Sequence, residues 1–176
     1  MITRITLTDI KNIITETVNR IITEHYYDAS LNVANSCKKM LQDIFTHWCM
    51  IRYCEMSNLN ITTVNHWNSE INNWVSTING KLSSLKTPTA RIKAFGLMIS
   101  RNHEFMPDES GMVDYDSALH LFSKKYQEEM LSLKLSKLNV EVGCAVLDDW
   151  AIYVNSSLKK VLIGDALQEV SKFKKK

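Results

Sequence analysis

Arg20 and His25, separated by four residues, are the pair with the clearest potential for chemistry in this sequence. A histidine can take up and release a proton near neutral pH, and an arginine can stabilise the negative charge that develops on a phosphate. Together the two side chains would suit the cleavage of a phosphodiester bond. The sequence favours the alternative, in which both are solvated side chains near the end of a helix.

The Arg-x4-His spacing resembles the signature of HEPN-type ribonucleases, which are small helical bundles that dimerise to bring two such motifs together. The resemblance would imply a ribonuclease in which His25 acts as acid and base and Arg20 stabilises the phosphate charge. Two features depart from the family pattern. Ile21 stands where a polar residue usually follows the arginine, and the motif falls in the first helix rather than late in the bundle. We therefore expect no enzymatic activity and no catalytic residue, and keep the ribonuclease as the alternative.

Short motifs for other kinds of site are not found in the sequence. His47, Cys49 and Cys54 do not have the spacing of a structural zinc site, and their apolar neighbours favour helix packing. The five glycines are dispersed, so neither a phosphate-binding loop nor a dinucleotide fingerprint can be drawn. We predict no metal ion and no cofactor.

Nucleic-acid binding is a further alternative. The last residues include four lysines that could attract a polyanion without specificity, namely Lys172, Lys174, Lys175 and Lys176. Trp67 and Trp74 share one face of a predicted helix and could stack on bases, but no basic residues are interleaved with them. A tryptophan cluster in the core or at an interface is the favoured interpretation. The formal charge of +2 does not indicate a polyanionic partner.

The periodicity of apolar residues predicts an all-α fold, a bundle of six or seven helices. The first helix is predicted over residues 8–26, and Thr6 with Asp9 three residues later is the start signal. Its apolar positions recur every three or four residues and form one stripe, which we predict to be an interaction surface: Ile10, Ile13, Ile14, Val18, Ile21 and Ile22. This stripe must be covered either by the body of the protein or by a partner.

Further start signals divide the rest of the chain. A second helix is predicted from Asp28 or Ser30 to Met56, a third from Thr62 or Thr63, and a fourth after Thr87-Pro88. Residues 103–114 are predicted to be a loop, followed by a helix capped by Asp114 or Asp116. Residues 139–144 stay ambiguous, and a last helical segment is predicted over residues 145–173. We divide the chain into a docking helix, residues 1–27, and a helical bundle, residues 28–176.

The first helix is similar to the N-terminal segment of small uncharacterised proteins of Bacteroidales phages and mobile elements. That segment reads Asp-Leu-x-x-Ile-Val-x-Glu-Ser-Val-x-x-Ile-Leu-x-Glu after a short Leu-Thr lead. The matching residues here are Leu7, Thr8, Asp9, Ile10, Ile13, Ile14, Glu16, Thr17, Val18, Ile21, Ile22 and Glu24. The spacer before Asp9 is shorter in this chain. The resemblance implies an origin in phage or mobile DNA and a segment that acts as a docking or packaging tag.

These observations together predict a non-enzymatic interaction or structural protein, either a virion component or a small effector of phage–host conflict. Its expected partner is another protein or a second copy of itself. No signal peptide is visible, and no run of 18 apolar residues predicts a membrane span. The four cysteines show no dense disulfide framework. We therefore expect the protein in the cytoplasm of the host cell or in the virion.

Overall fold

The computed structural model describes residues 6–60, 62–108, 110–134 and 138–158, and within them all regular structure is helical. It contains five α-helices: α1 (Leu7–Met56), α2 (Val64–Ser83), α3 (Pro88–Ser100), α4 (Tyr115–Leu133) and α5 (Val140–Tyr153). A π-helical turn, Val154–Leu158, continues α5. The predicted all-α fold is confirmed. The predicted lysine tail and most of the last helical segment lie outside the described residues.

One uninterrupted helix occupies the place of the first two predicted helices. Asp28 and Ser30 have the side chains of good N-caps, but the predicted break between residues 26 and 28 is wrong. The hydroxyl of Ser30 instead donates a hydrogen bond to the carbonyl of Ala90 at 2.9 Å, in a buried contact with α3. No glycine or proline interrupts residues 7–56. We call residues 7–28 of α1 the arm and residues 29–56 the core half.

The predicted starts of α2, α3 and α4 are confirmed, although the side chains of Thr63 and Asp114 make no cap hydrogen bond. Thr63 precedes α2, and the Thr87 hydroxyl accepts a hydrogen bond from the amide of Ala90 at the start of α3. Asn139 caps α5, because its side-chain oxygen accepts a hydrogen bond from the amide of Val142 at 3.1 Å. Residues 139–144 are therefore a helix start rather than a linker or an extended piece.

The core half of α1 is the central element of the body, since α2, α3, α4 and α5 all contact α1. Phe45 lies at the centre of an aromatic cluster. Its ring centroid is 4.9 Å from that of Phe105, 5.3 Å from that of Trp150 and 6.3 Å from that of Phe122. The buried indole N–H of Trp150 donates to the carbonyl of Phe105 at 2.6 Å. Offset and edge-on contacts of this kind add to the stabilisation from apolar burial.

Candidate interaction surface

The arm carries a stripe of apolar side chains that no other described part of the chain covers. Every side chain described between residues 6 and 28 is exposed. The stripe consists of seven residues that are 46–71% exposed: Leu7, Ile10, Ile13, Ile14, Val18, Ile21 and Ile22. Contiguous exposed apolar surface of this kind typically marks a site of protein–protein interaction. The six predicted interaction residues thus share one face of one helix, and Leu7 extends that face by a further turn.

The apolar side of α1 changes between the arm and the core half. Two residues 18 positions apart lie on the same side of an α-helix, because 18 residues make five turns. The central members of the stripe are Leu7, Ile10, Ile14, Val18 and Ile21. The residues 18 positions after them are all polar and exposed: His25, Asp28, Asn32, Ser36 and Lys39. The centre of the stripe therefore points away from the side on which residues 30–41 meet the body. Further along α1 the side of the stripe is buried as well, at Thr46, Met50 and Cys54.

The same comparison can be made from buried residues of the core half back to the arm. Ala34, Cys37 and Leu41 are almost fully buried. The residues 18 positions before them are Glu16, Asn19 and Thr23, which are polar and exposed. A partner bound to the stripe would therefore lie on the opposite side of α1 from the adjoining core residues, Ala34, Cys37 and Leu41.

A reciprocal cap fixes the start of the arm. The Thr6 hydroxyl accepts a hydrogen bond from the amide of Asp9 at 3.2 Å, and the Asp9 carboxylate accepts one from the amide of Thr6 at 2.9 Å. The Thr6 hydroxyl also donates to the same carboxylate at 2.6 Å. These bonds hold the pKa of Asp9 below its ordinary value, with the Thr6 hydroxyl as the main cause. The cap satisfies backbone amides that otherwise lack partners at a helix start.

Arg20 and His25 both lie in the arm, but on different sides of it. Residues five positions apart on an α-helix point about 140° away from each other. Arg20 lies 3.8 Å from Glu24, in an ion pair whose side chains are both about 70% exposed. Within one chain the two side chains therefore do not converge on one reacting group. The ribonuclease interpretation stays a prediction that His25-dependent cleavage of RNA would support.

His47 belongs to a contact between α1 and α2. Its Nδ1 donates to the carbonyl of Asp43 at 2.9 Å, and its Nε2 lies 3.2 Å from the carboxylate of Glu70. The imidazole ring meets the rings of Trp67 and Trp74 edge-on, at centroid distances of 5.9 and 5.0 Å. The imidazole of His47 is thus positioned by Asp43 of its own helix and by Glu70, Trp67 and Trp74 of α2. Both tryptophans take part in this packing, which leaves neither as a free platform for bases.

The cysteines behave as apolar core residues. Cys37, Cys49 and Cys54 are buried, and Cys144 is half-buried. Burial raises the pKa of the Cys54 thiol to about 11, so the thiol is protonated at neutral pH and is a poor nucleophile. Among the described residues, no three potential metal ligands come together.

A cavity of about 450 Å³ lies beside the loop between α3 and α4. Its walls include the apolar side chains of Ile99, Met106 and Met112, and the carboxylates of Asp108 and Asp114. Asp108 Oδ1 already accepts hydrogen bonds from the hydroxyl and amide of Ser110, at 2.6 and 2.8 Å. This carboxylate therefore stabilises its own loop, and its pKa is lowered mainly by the Ser110 hydroxyl.

Comparison with protein-family models, with curated proteins and with solved structures gives no match for this chain. The phage resemblance of residues 7–24 stays a prediction. The four lysines near the C-terminus lie outside the described residues, so nucleic-acid binding through them stays a prediction as well. None of the described helices is long and apolar enough to cross a membrane.

Sequence reasoning found the stripe but missed the change of side along α1. The signal was present in the sequence, since the apolar residues after residue 29 are out of phase with those before residue 23. A predicted break at residue 27 concealed it, because the phases of two separate helices need not be compared. In one continuous helix, the difference in phase means that the stripe and the adjoining buried residues Ala34, Cys37 and Leu41 point in opposite directions.

Proposed function

We propose that this protein is a non-enzymatic interaction protein that binds a protein partner through the apolar stripe of the arm. The observation that supports this proposal is the exposure of seven large apolar side chains on one face of a capped helix. Scattered apolar residues are common on protein surfaces and need no explanation. A stripe that continues over four turns on a single face is different, because its burial would supply free energy for binding.

The stability of the arm supports the same proposal. Helices in proteins take most of their stability from tertiary packing of an apolar face rather than from intrinsic helix propensity. The arm is rich in isoleucine and threonine, which are weaker helix formers than alanine or leucine because their branched Cβ restricts the side chain. Within the described structure it is supported by the cap at Thr6, the exposed Arg20–Glu24 ion pair and the continuation into the core half, none of which is a tertiary contact. A partner that covers the stripe would supply the missing tertiary contacts.

The chemistry of the stripe defines the kind of surface that it fits. Its side chains are aliphatic, and no charged residue stands between them along the centre of the face. An amphipathic helix of this type binds an apolar groove or another apolar helix face. We expect a partner protein with such a surface, within a phage virion or as the target of a small phage effector; that biological setting depends on the resemblance of residues 7–24.

The proposal is tested by measuring whether the stripe is covered in the cells that express the protein. Two single-cysteine variants form a matched pair: Ile14→Cys on the stripe, and Asn12→Cys on the opposite side of the same turn. Intact cells are treated with a maleimide, and labelling at each position is quantified by peptide mass spectrometry. We expect the cysteine at position 14 to be labelled at least about 10-fold more slowly than that at position 12, because a bound partner excludes the reagent.

Equal labelling rates at the two positions would contradict the proposal, since the stripe would then be open to solvent in the cell. Val18→Cys gives a second position on the stripe, in case the change at residue 14 itself weakens binding. The intrinsic fluorescence of the four tryptophans, which all lie after residue 47, reports whether the body of each variant is folded.

A further inference from the structure

We infer that the partner of the arm is a second copy of this chain, bound antiparallel, with the two-fold axis beside Ile14. This inference depends on the proposed function and adds the identity and the register of the partner. It rests on the symmetry of the stripe, on the length of the arm and on the charges of α1.

The spacing of the central apolar residues is the same in both directions along the helix. Leu7, Ile10, Ile14, Val18 and Ile21 are separated by three, four, four and three residues. An antiparallel copy centred on Ile14 therefore places Leu7 level with Ile21 of the second copy, and Ile10 level with Val18 of the second copy. A two-fold interface needs a surface that is complementary to itself in this way, and a binding site for an unrelated groove does not.

The positions of these residues around the helix are also symmetric. Leu7 and Ile21 lie about 20° on either side of the direction of Ile14, and Ile10 and Val18 lie about 40° on either side. In an antiparallel pair, the two members of each level therefore pack beside each other rather than head-on, as in helix–helix packing with interlocking side chains. Ile13 and Ile22 flank the central five and widen the apolar face.

The length of the arm leaves room for this pairing. Burial begins at Ala29 and Ser30, about 22 Å along the helix from Ile14 at 1.5 Å per residue. Leu7 lies about 10 Å from Ile14 in the other direction. The described end of each arm would thus stop about 12 Å short of the body of the second copy. The two bodies would lie at opposite ends of the paired arms without collision.

The charges of α1 favour the antiparallel orientation over the parallel one. Asp28 and Lys39 lie on the same side of the helix as the stripe. In a parallel pair in register, each would face the same residue of the second copy. Like charges at the same level of a two-fold pair repel. The antiparallel pair instead places the two copies of Asp28 about 42 Å apart along the helix, so this repulsion is absent. These exposed charges add orientation rather than much affinity.

The first test is the oligomeric state of the purified full-length protein. Light scattering over a concentration series should show a reversible monomer–dimer equilibrium. Ile14→Asp should raise the dimer dissociation constant at least about 30-fold, because it places two carboxylates against each other at the centre of the interface. Asn12→Asp adds the same charge on the opposite side of the arm and should leave the constant within about 3-fold of the native value.

Disulfide trapping tests the register. Oxidation of the Ile14→Cys variant should give a covalent dimer, since the two sulfur-bearing residues face each other across the axis. Leu7→Cys and Ile21→Cys should each stay monomeric when oxidised alone, and should form a mixed dimer when combined. Two residues at position 7 would be about 21 Å apart in the antiparallel pair, far beyond disulfide reach. The native chain, oxidised in parallel, controls for its own cysteines.

Each other outcome overturns the inference. Covalent dimers of Leu7→Cys alone and Ile21→Cys alone would show a parallel pair. A monomer at every concentration would exclude the second copy as partner. If the stripe is nevertheless protected in cells and open to the reagent in the purified protein, the proposed function stands and another protein covers it. If the stripe is also open in cells, both proposals fail.

Discussion

The arm and the core half are two parts of one helix, yet different forces hold them in helical form. In the core half, Cys37, Leu41 and Phe45 are buried and helices from the rest of the chain contact the backbone that carries them. In the arm, the backbone hydrogen bonds and the cap at Thr6 act without tertiary contacts from the described chain. The comparison teaches that helical continuity alone does not show where a protein is stable. We expect stability, and sensitivity to substitution, to divide at residues 28–30.

The largest expected effect is the loss of the central aromatic ring. Phe45→Ala removes a fully buried side chain that contacts Phe105, Phe122 and Trp150, and it leaves a cavity. We expect urea unfolding to show a loss of about 3–5 kcal/mol in the free energy of unfolding. The matched substitution in the arm, Ile14→Ala, should change the unfolding of the body by less than about 0.5 kcal/mol at concentrations where the protein is monomeric. Equal losses would show that arm and core half unfold as one unit.

A smaller effect is expected where the packing is kept and a buried hydrogen bond is lost. Trp150→Phe preserves much of the aromatic contact but removes the indole N–H that donates to the carbonyl of Phe105. The free energy of unfolding should fall by about 1–3 kcal/mol, because the carbonyl stays buried without this partner. Thermal unfolding followed by far-ultraviolet circular dichroism measures the change. An unchanged midpoint would mean that water replaces the lost donor.

The boundary itself can be tested with two serines. Ser30→Ala removes the hydrogen bond between the start of the core half and Ala90, and should cost about 1 kcal/mol in urea unfolding. Ser36→Ala is the control, because the exposed Ser36 hydroxyl is bonded only within its own helix, to the carbonyl of Val33 at 2.9 Å and to the sulfur of Cys37 at 3.9 Å. That variant should stay within about 0.5 kcal/mol of the native protein. A cost for Ser36→Ala as large as that for Ser30→Ala would refute this placement of the boundary.

The smallest effect is expected at the end of the arm, on lowering the pH. The pKa of Asp9 is below its ordinary value of 3.8 in the folded protein, because the ionised carboxylate accepts bonds from Thr6. Its contribution is therefore complete above pH 3.8 and is lost as the pH falls through the folded pKa. Amide hydrogen exchange should become faster in the first turn of the arm over this range, and remain unchanged in the core half.

Asp9→Asn provides the control for this pH dependence, since its side chain does not titrate. The first turn of that variant should exchange at a rate that no longer depends on this ionisation, once the intrinsic pH dependence of exchange is subtracted. An equal response in both proteins would show that another group causes the fraying.

Local signals in the sequence were sufficient for most of the helix starts. The start at Thr87-Pro88 was predicted correctly because the Thr87 cap acts on residues within one turn of itself. Thr63 also marks a helix start, although its side chain makes no cap hydrogen bond. The continuity of α1 could not be read in this way. Ser30 has the chemistry of a cap, but its hydroxyl bonds to the carbonyl of Ala90, 60 residues along the chain, and this tertiary partner is not visible from local sequence.

The candidate surface was predicted in its residues but not in its environment. The spacing of Ile10, Ile14, Val18 and Ile21 marks one face of a helix from sequence alone. Whether that face is covered by the body depends on the direction in which the body lies, which follows from the phase of Ala34, Cys37 and Leu41 in the same helix. The cluster of His47, Glu70 and Trp74 was likewise beyond sequence reasoning, because it joins two helices whose relative rotation is a tertiary property.

The absence of glycine and proline from residues 7–56 has a mechanical consequence. A continuous helix without a flexible point couples the orientation of the arm to that of the body. A partner bound to the arm therefore also fixes the rotation of the body about the helix axis. Removing two residues from 23–28 would turn the arm by about 200° relative to the body, whereas removing four would return it to within about 40° of its original direction. The number of residues between the stripe and the core half thus determines how the body is oriented relative to a bound partner.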